Sequence, residues 1–236
     1  MSRKPFKFKQ FDIFQDNTAM KVGTDGVLIG SWTNIYNGNK ILDIGTGTGL
    51  VSLMLAQRFP ETIIDAIEID ESAYLQAIEN FQNSIFKQRL KVFNTPIQEY
   101  NPNEKYDLIV SNPPFFNVND LVEFDTRKQA RQQTTLTFSE LLDKTSLLLN
   151  RNGVASFVIP YDQKDLYIDI ASKRSLYISR ILYVRGNKNS SLKRVLLEFS
   201  FDQKEIVEED ELIIELDRHQ YTDEYINLTK EFYLKM

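Results

Sequence analysis

The chain has 236 residues, 42% hydrophobic and 26% charged, with a net charge of −5. This is an ordinary globular composition with ample apolar material for a core, and no stretch approaches the roughly 20 apolar residues of a membrane span. The lack of cysteine excludes disulfides and thiolate metal sites, and a lone histidine, His219, excludes a histidine metal cluster, so no metal is expected. Net negative charge argues against a generic polyanion binder; any nucleic-acid contact has to use local basic patches. The basic start, Met1 to Lys7, lacks the apolar segment of a secretory signal, so cytoplasm is the expected compartment.

In chain order, residues 6–14 alternate apolar and polar, as a half-buried strand does. Here Arg3, Lys4, Lys7 and Lys9 interleave with Phe6, Phe8 and Phe11, the pattern of cations beside stacking platforms for RNA, although a solvated surface fits it too. In the turn cluster Lys21 to Gly26, Thr24 or Asp25 is placed to cap a short helix running to Trp32. From Lys40 the pattern becomes strand (41–44), glycine loop (45–49), helix (50–59), strand (63–68), helix (71–86) and short strand (90–93). A buried strand at 106–111 follows, then a helix from Thr137 to Leu149 and a strand over 154–159 stopped by Pro160. The rest reads as a helix over 166–173, two strands over 177–184 and 193–201 around a polar loop, and a closing helix over 222–233. A βα alternation that ends in two strands with no helix between them predicts a mostly parallel sheet with an antiparallel pair at one end.

Two stretches carry chemistry. The first is Asp43-Ile44-Gly45-Thr46-Gly47-Thr48-Gly49, with Glu68 about twenty residues later at the next strand end. Its glycines fall at every second position, unlike the dinucleotide fingerprint, and no lysine with Ser/Thr follows as a phosphate cradle requires. Glycines let a backbone approach a ligand closely. Asp43 favours a cation such as an ammonium group, and Glu68 is placed to accept two hydrogen bonds from ribose hydroxyls.

The second is Ser111-Asn112-Pro113-Pro114-Phe115-Phe116 after the 106–110 strand. Two prolines cannot extend a strand, so the chain leaves the sheet here in a fixed shape, at the strand end where open α/β sheets bind ligands. One amide, free carbonyls and two rings suit the holding of a flat, amino-bearing group. Asn-Pro is also a common turn starter. Arg127, Lys128 and Arg131 lie just beyond and form a second basic patch.

Asp43 to Gly49 with Glu68 resembles the S-adenosylmethionine site of class I methyltransferases, and Asn112-Pro113-Pro114-Phe115 resembles the motif of members that methylate amino groups on planar systems. The stretch 21–26, Gln129-Ala130-Arg131 and the ending 225–236 are similar to the bacterial tRNA1(Val) adenine-N6 methyltransferases, which modify adenine 37 beside the anticodon. The resemblance spans nearly the whole chain. It implies a Rossmann-like α/β fold: a seven-stranded mostly parallel sheet with an antiparallel strand and helices on both faces. It implies one domain over 1–236, in which residues 1–39 close over the cofactor and 40–236 form the core. It further implies that Asp43, Gly45, Gly47 and Gly49 surround the methionine part of S-adenosylmethionine, that Glu68 holds its ribose, and that Thr24 and Asp25 close the pocket with Asn112 at its edge. Asn112, Pro113, Pro114 and Phe115 would then hold the target base. Where relatives often carry an acid against the cofactor adenine, Asn94-Thr95-Pro96-Ile97 stands instead. The RNA would meet Arg3, Lys4, Lys7, Lys9, Arg127, Lys128 and Arg131, and the expected state is a monomer.

The same Asn-Pro-Pro-aromatic turn serves protein-glutamine, DNA-adenine and ribosomal guanine-N2 methyltransferases, so the chemistry alone does not choose the target. A non-catalytic cofactor- or RNA-binding module and a nicotinamide enzyme are the readings from other classes. The intact turn speaks against the first and the glycine spacing against the second.

Overall fold

The computed structural model describes residues 4–16, 18, 20–114 and 137–236. A nine-stranded sheet carries the architecture. Its strands are β3 (Lys40–Ile44), β4 (Ile63–Glu68), β5 (Leu90–Asn94), β6 (Tyr106–Ser111), β7 (Leu149–Pro160), β8 (Tyr177–Asn187), β9 (Leu192–Ser200), β10 (Glu208–Asp217) and β11 (Gln220–Tyr221). They lie in the order β5-β4-β3-β6-β7-β9-β8-β10-β11. The five strands from β5 to β7 are parallel neighbours. A short hairpin joins β8 to β9, so β9 runs antiparallel to both β7 and β8. From β3 the chain winds outward through β4 and β5, then returns to place β6 on the other side of β3. That reversal makes β3 and β6 the switch point where an open sheet leaves a crevice.

The helices are α1 (Thr24–Trp32), α2 (Leu50–Arg58), α3 (Glu71–Asn83), α4 (Phe138–Leu148), α5 (Lys164–Ser172) and α6 (Asp223–Thr229). Successive strand residues point to opposite faces, so Ile41, Leu108 and Val110 pack with α1, α2 and α3, while Leu42, Ile44 and Ile109 pack with α4 and α5. Helix α4 opens with a capping box: Thr137 accepts from Glu140 N, and Glu140 Oε2 accepts from Thr137 N. Among the described residues no helix is long and apolar enough to cross a membrane.

Several elements differ from expectation. Residues 6–14 form two short strands, β1 (Phe6–Lys7) and β2 (Asp12–Ile13), paired as a hairpin. Folding back lets Phe8 and Phe11 stack at 4.8 Å, with Phe8 also stacked on Tyr233 at 5.7 Å, so that two rings are buried where one extended strand would expose them. Gly23, not Thr24 or Asp25, occupies the N-cap of α1, and no side chain caps it. Helix α3 stops at Asn83, where the Ser84 hydroxyl donates to Phe81 O. The sheet gains β10 and β11 beyond the seven strands expected. β10 reads Glu-Glu-Asp-Glu-Leu-Ile-Ile-Glu-Leu-Asp, too acidic to look like a strand, yet suited to a position near a sheet edge.

The two chain ends are tied together. Lys9 N donates to Phe232 O at 2.8 Å, and Lys9 Nζ donates to Lys230 O and Met236 O. Phe232 is 1% exposed and belongs to the same core as Phe8. Phe232→Ala should therefore cost about 3–5 kcal/mol, as large-to-small core changes do. Urea denaturation would measure it, with earlier proteolytic cutting within residues 6–13. A loss below about 1 kcal/mol would show the closing segment to be dispensable.

Candidate active site

The carboxyl ends of four neighbouring strands form one row. Register pairs Ile44 with Ser111 and with Ile67, and Glu68 with Asn94. Asn94, Glu68, Gly45 and Asn112 therefore stand at adjacent strand ends, about 4.8 Å apart from strand to strand. The Ser111 hydroxyl, 1% exposed, donates to the Ile44 carbonyl at 2.8 Å and pins the two central ends together just before both chains leave the sheet.

The glycine loop turns with positive φ at Gly45 (70°), Gly47 (58°) and Gly49 (83°), values that side-chain-bearing residues rarely adopt. A Cβ on Gly49 would lie 2.5 Å from the Phe81 ring, so this glycine is required by packing. Among the described residues, a Cβ on Gly45 or Gly47 would meet nothing within 4 Å, so no described atom keeps a ligand from this bare backbone.

Asp43 is a brace. Its Oδ2 accepts from Thr46 Oγ1 (2.6 Å), Ser52 Oγ (2.7 Å) and Ser52 N (3.1 Å). Helix α2 has Gly49 at its N-cap and no cap of its own; Asp43 supplies the missing acceptor from the end of β3. Burial pushes the Asp43 carboxyl up to about 6; the bonds from Thr46 and Ser52 pull the other way, and the Glu68 charge adds to the rise. Glu68 accepts from Gly47 N at 2.8 Å through Oε2 and from Asp70 N at 3.0 Å through Oε1. Each oxygen retains lone-pair capacity for a further donor. Asn94 donates from Nδ2 to the carbonyls of Glu68 (2.9 Å) and Ile69 (3.2 Å).

The Asn112 side chain is partly buried, Pro113 is buried and Pro114 exposed. Among the described residues, the Asn112 amide has no hydrogen-bond partner, so both its polar ends are unspent. Thr24 and Asp25 begin α1, whose first turn sits on that of α2: a Cβ on Gly26 would come 3.1 Å from Leu50 Cδ2. Asp25 Oδ2 accepts from Arg194 Nε at 2.8 Å. Phe115, Arg3, Arg127, Lys128 and Arg131 lie outside the described residues. Lys4 and Lys7 are exposed, whereas Lys9 grips the C-terminal carbonyls. Phe8 and Phe11 are core residues and only Phe6 remains as an accessible ring, so the N-terminal stripe is not a row of stacking platforms. Among the described residues no group of three or more His, Asp or Glu is placed to hold a metal ion.

Asn80 was not anticipated. It is fully buried, donating to Thr48 O (2.8 Å) and Phe14 O (2.9 Å) and accepting from Phe14 N (2.9 Å). One amide thus joins the N-terminal segment to the glycine loop. The available signal was position: Asn80 shares the inward face of α3 with Ala73, Gln76 and Ala77, an i, i+3, i+4, i+7 set.

Asn80→Ala would strand backbone groups at Thr48 and Phe14 and should cost about 2–4 kcal/mol. Hydrogen exchange over residues 45–49 should rise with it; unchanged protection there would show that Asn80 does not hold the loop. Asp43 gives a pH signature. Its folded value of about 6 exceeds the unfolded value of 3.8, so the folded chain holds this proton more tightly. That contribution is fully present below 3.8 and is lost as pH rises through about 6. Urea midpoints across that window should fall more steeply for the natural chain than for Asp43→Asn, and equal slopes would contradict the assignment.

Residues 22–164 match the model of the Methyltransferase small domain family. A tRNA1(Val) (adenine(37)-N6)-methyltransferase of Flavobacterium johnsoniae is 49% identical over 98% of this chain and 100% of its own length. Its counterpart in Bacteroides fragilis is 48% identical, with both chains covered in full. A crystal structure of a predicted O-methyltransferase from Agrobacterium tumefaciens superposes with a TM-score of 0.69 at 16% identity, covering 88% of this chain and 96% of that one, a likeness of fold alone. With a sheet that opens at β3 and β6, a family match over residues 22–164 and near full-length identity close to one half, this chain belongs to the tRNA1(Val) (adenine(37)-N6)-methyltransferase family, within the Methyltransferase small domain family.

Proposed function

We infer that this chain methylates N6 of adenine 37 in tRNA1(Val), with S-adenosylmethionine as the donor and Asn112 at the reacting amine. One observation carries the reading: the register that sets Asn112 beside Gly45, locked by the Ser111–Ile44 bond. The residues present fit the cofactor. Among the described residues nothing crowds Gly45 or Gly47, and Glu68 keeps acceptor capacity for ribose hydroxyls. The cofactor supplies a methyl group made electrophilic by its sulfonium.

The chain's part is alignment. An exocyclic adenine amine is a poor nucleophile because its lone pair is delocalised into the ring. The Asn112 side-chain oxygen and the Pro113 backbone carbonyl each accept one amine hydrogen, which favours a pyramidal nitrogen with a directed lone pair. Positive charge grows on that nitrogen in the transition state, and preorganised acceptors stabilise it. Pro114 fixes the turn, and Phe115 stacks on the base and holds its plane. Such a displacement rests on orientation rather than on a strong base: the S–methyl bond would break as N–methyl forms, the donor would leave as a neutral thioether, and the methylated nitrogen, cationic and acidic, would release its proton to solvent, so it asks for no catalytic histidine. Asp43 and Gly49 keep the cofactor side of the pocket rigid. Thr24 and Asp25, within an N-terminal stretch of residues 1–39, close it from above. Exposed Lys4 and Lys7 meet the RNA, and the family resemblance adds Arg3, Arg127, Lys128 and Arg131 to that contact. The chain works as a single domain and a monomer in the cytoplasm. The relatives' names favour the tRNA adenine over the other amino targets that share this turn.

The deciding experiment incubates the protein with labelled cofactor and total tRNA from a strain lacking the enzyme, then maps the labelled nucleoside. Label at N6 of adenine 37 supports the reading; label elsewhere, or none, rejects it. Asn112→Ala should lower kcat by about a hundredfold or more while S-adenosylhomocysteine affinity stays within about threefold, as loss of a transition-state hydrogen-bond partner does. Methyl transfer surviving within a few-fold would contradict the role given to Asn112.

A further inference from the structure

We propose that the tip of the β8–β9 hairpin, through Lys188 and Lys193, grips the ribose-phosphate backbone of the RNA whose base enters at Asn112. This rests on the function proposed above and adds a contact surface to it.

Placement comes first. β9 runs against β7, with Arg194 opposite Pro160, so the hairpin projects from the same end of the sheet as Asn112. Three residues of register separate Ser111's partner, Phe157, from Pro160, which sets Arg194 about 10 Å further out along the strands and about 10 Å to the side. The turn carries Lys188 still further in the same direction. That reach is too long for the target base and suits phosphates flanking it.

Charge is the second argument. Residues 185–194 hold four cations and no acid, in a chain of net charge −5. Arg185 is spent on Glu211 (2.9 Å) and Arg194 on Asp25 (2.8 Å), and those two pairs anchor the hairpin's base. Lys188 and Lys193 are exposed, and among the described residues neither ammonium has a partner.

The tip is also built. Ser190 N and Oγ donate to Asn187 O, and Ser190 Oγ accepts from Asn187 N. Asn189 N donates to Asn187 Oδ1, and Arg185 Nη1 to Ser190 O at 2.8 Å. A tip held this way presents its lysines with less ordering entropy to lose on binding. Phosphate recognition needs cations at fixed separation and no apolar contact, and the exposed residues here are Lys, Asn, Ser and Gly.

The test is a Lys188→Ala/Lys193→Ala double variant, assayed for tRNA binding and methylation across salt concentrations. Two lost phosphate contacts should reduce the slope of log affinity against log salt by roughly 1.5 and raise KM for tRNA about tenfold at moderate salt. kcat at saturating tRNA and S-adenosylhomocysteine affinity should hold within about twofold, because neither lysine meets the reacting atoms. The Lys→Arg pair should restore KM. Lys204→Ala, beyond the opposite end of β9, should change nothing. If the natural chain methylates tRNA while the double variant keeps its KM and salt slope, the hairpin assignment is overturned and the function stands. If the natural chain neither binds nor methylates tRNA, the function falls, and this surface with it.

Discussion

Two parallel strands and one hydroxyl decide this structure. β3 and β6 run side by side in register, and where the backbone ladder ends the Ser111 hydroxyl adds one more bond, to Ile44 O. The next residue on one side is Gly45 and on the other Asn112. Both leave the sheet at once, one through left-handed glycine geometry and the other through two prolines that forbid further pairing. Because side chains alternate along a strand, a slip of one residue would turn Asn112 to the wrong face and bury a polar amide in the α4 core. Leu108, Ile109 and Val110 are apolar toward both cores, so the register is held instead by the strand's polar ends, where Tyr106 donates to Asp65 and Ser111 to the Ile44 carbonyl. The site's geometry thus depends on two hydroxyls at the ends of an apolar strand.

The second constraint is the shortage of caps. Helix α2 starts from a glycine that packing against Phe81 makes obligatory, so its first turn cannot carry a capping side chain. Asp43 reaches across and accepts from the third helical residue, at the cost of a carboxylate buried to 1% exposure. Burying a charge is expensive, and here three donors offset it. Asn80 applies the same solution to the far end of the loop. The loop gains backbone rigidity from polar groups placed behind it, which leaves Gly45 and Gly47 bare toward the open side. Positioning of this kind limits how far a bound methyl donor can stray from an acceptor nitrogen, and small misplacements are costly in rate.

Where sequence and structure agree, the information was local. β4, β6 and α4 fall within a residue or so of expectation, since hydrophobic period, glycine, proline and a helix-opening threonine act over a few residues. The turn at Asn112 and the loop at Gly45 were legible for the same reason. What escaped notice depends on contacts between distant segments. Lys9 read as a cation for RNA because nothing nearby shows that residues 230–236 return to meet it. Phe8 and Phe11 looked like platforms until Tyr233 covered them. Asp43 read as a ligand contact, and only the fold shows its Oδ2 engaged by Thr46 and Ser52. β10 was hidden by its acids, because an edge position removes the apolar signal that identifies central strands.

Those acids bear on how an acidic protein can meet RNA at all. β10 pairs in parallel with β8 and presents Glu208, Glu209 and Glu211 to Arg180, Tyr183 and Arg185. The two arginine pairings remove cations from the pool that phosphate could use, and the acids leave net negative charge along that edge, which also discourages strand addition from a second molecule. Repulsion there and uncommitted lysines at the hairpin tip act in the same sense. Long-range attraction is weak for a chain of this net charge, so orientation must come from a few close cations rather than from a broad field. A small number of phosphate contacts means modest affinity with modest salt dependence. Discrimination then falls to the pocket, where a flat amine must satisfy Asn112 and fit against Pro113. On the proposed role of Asn112, a base lacking that amine would leave this partly buried amide unpaired, a penalty that acts on the base itself rather than through long-range electrostatic pull.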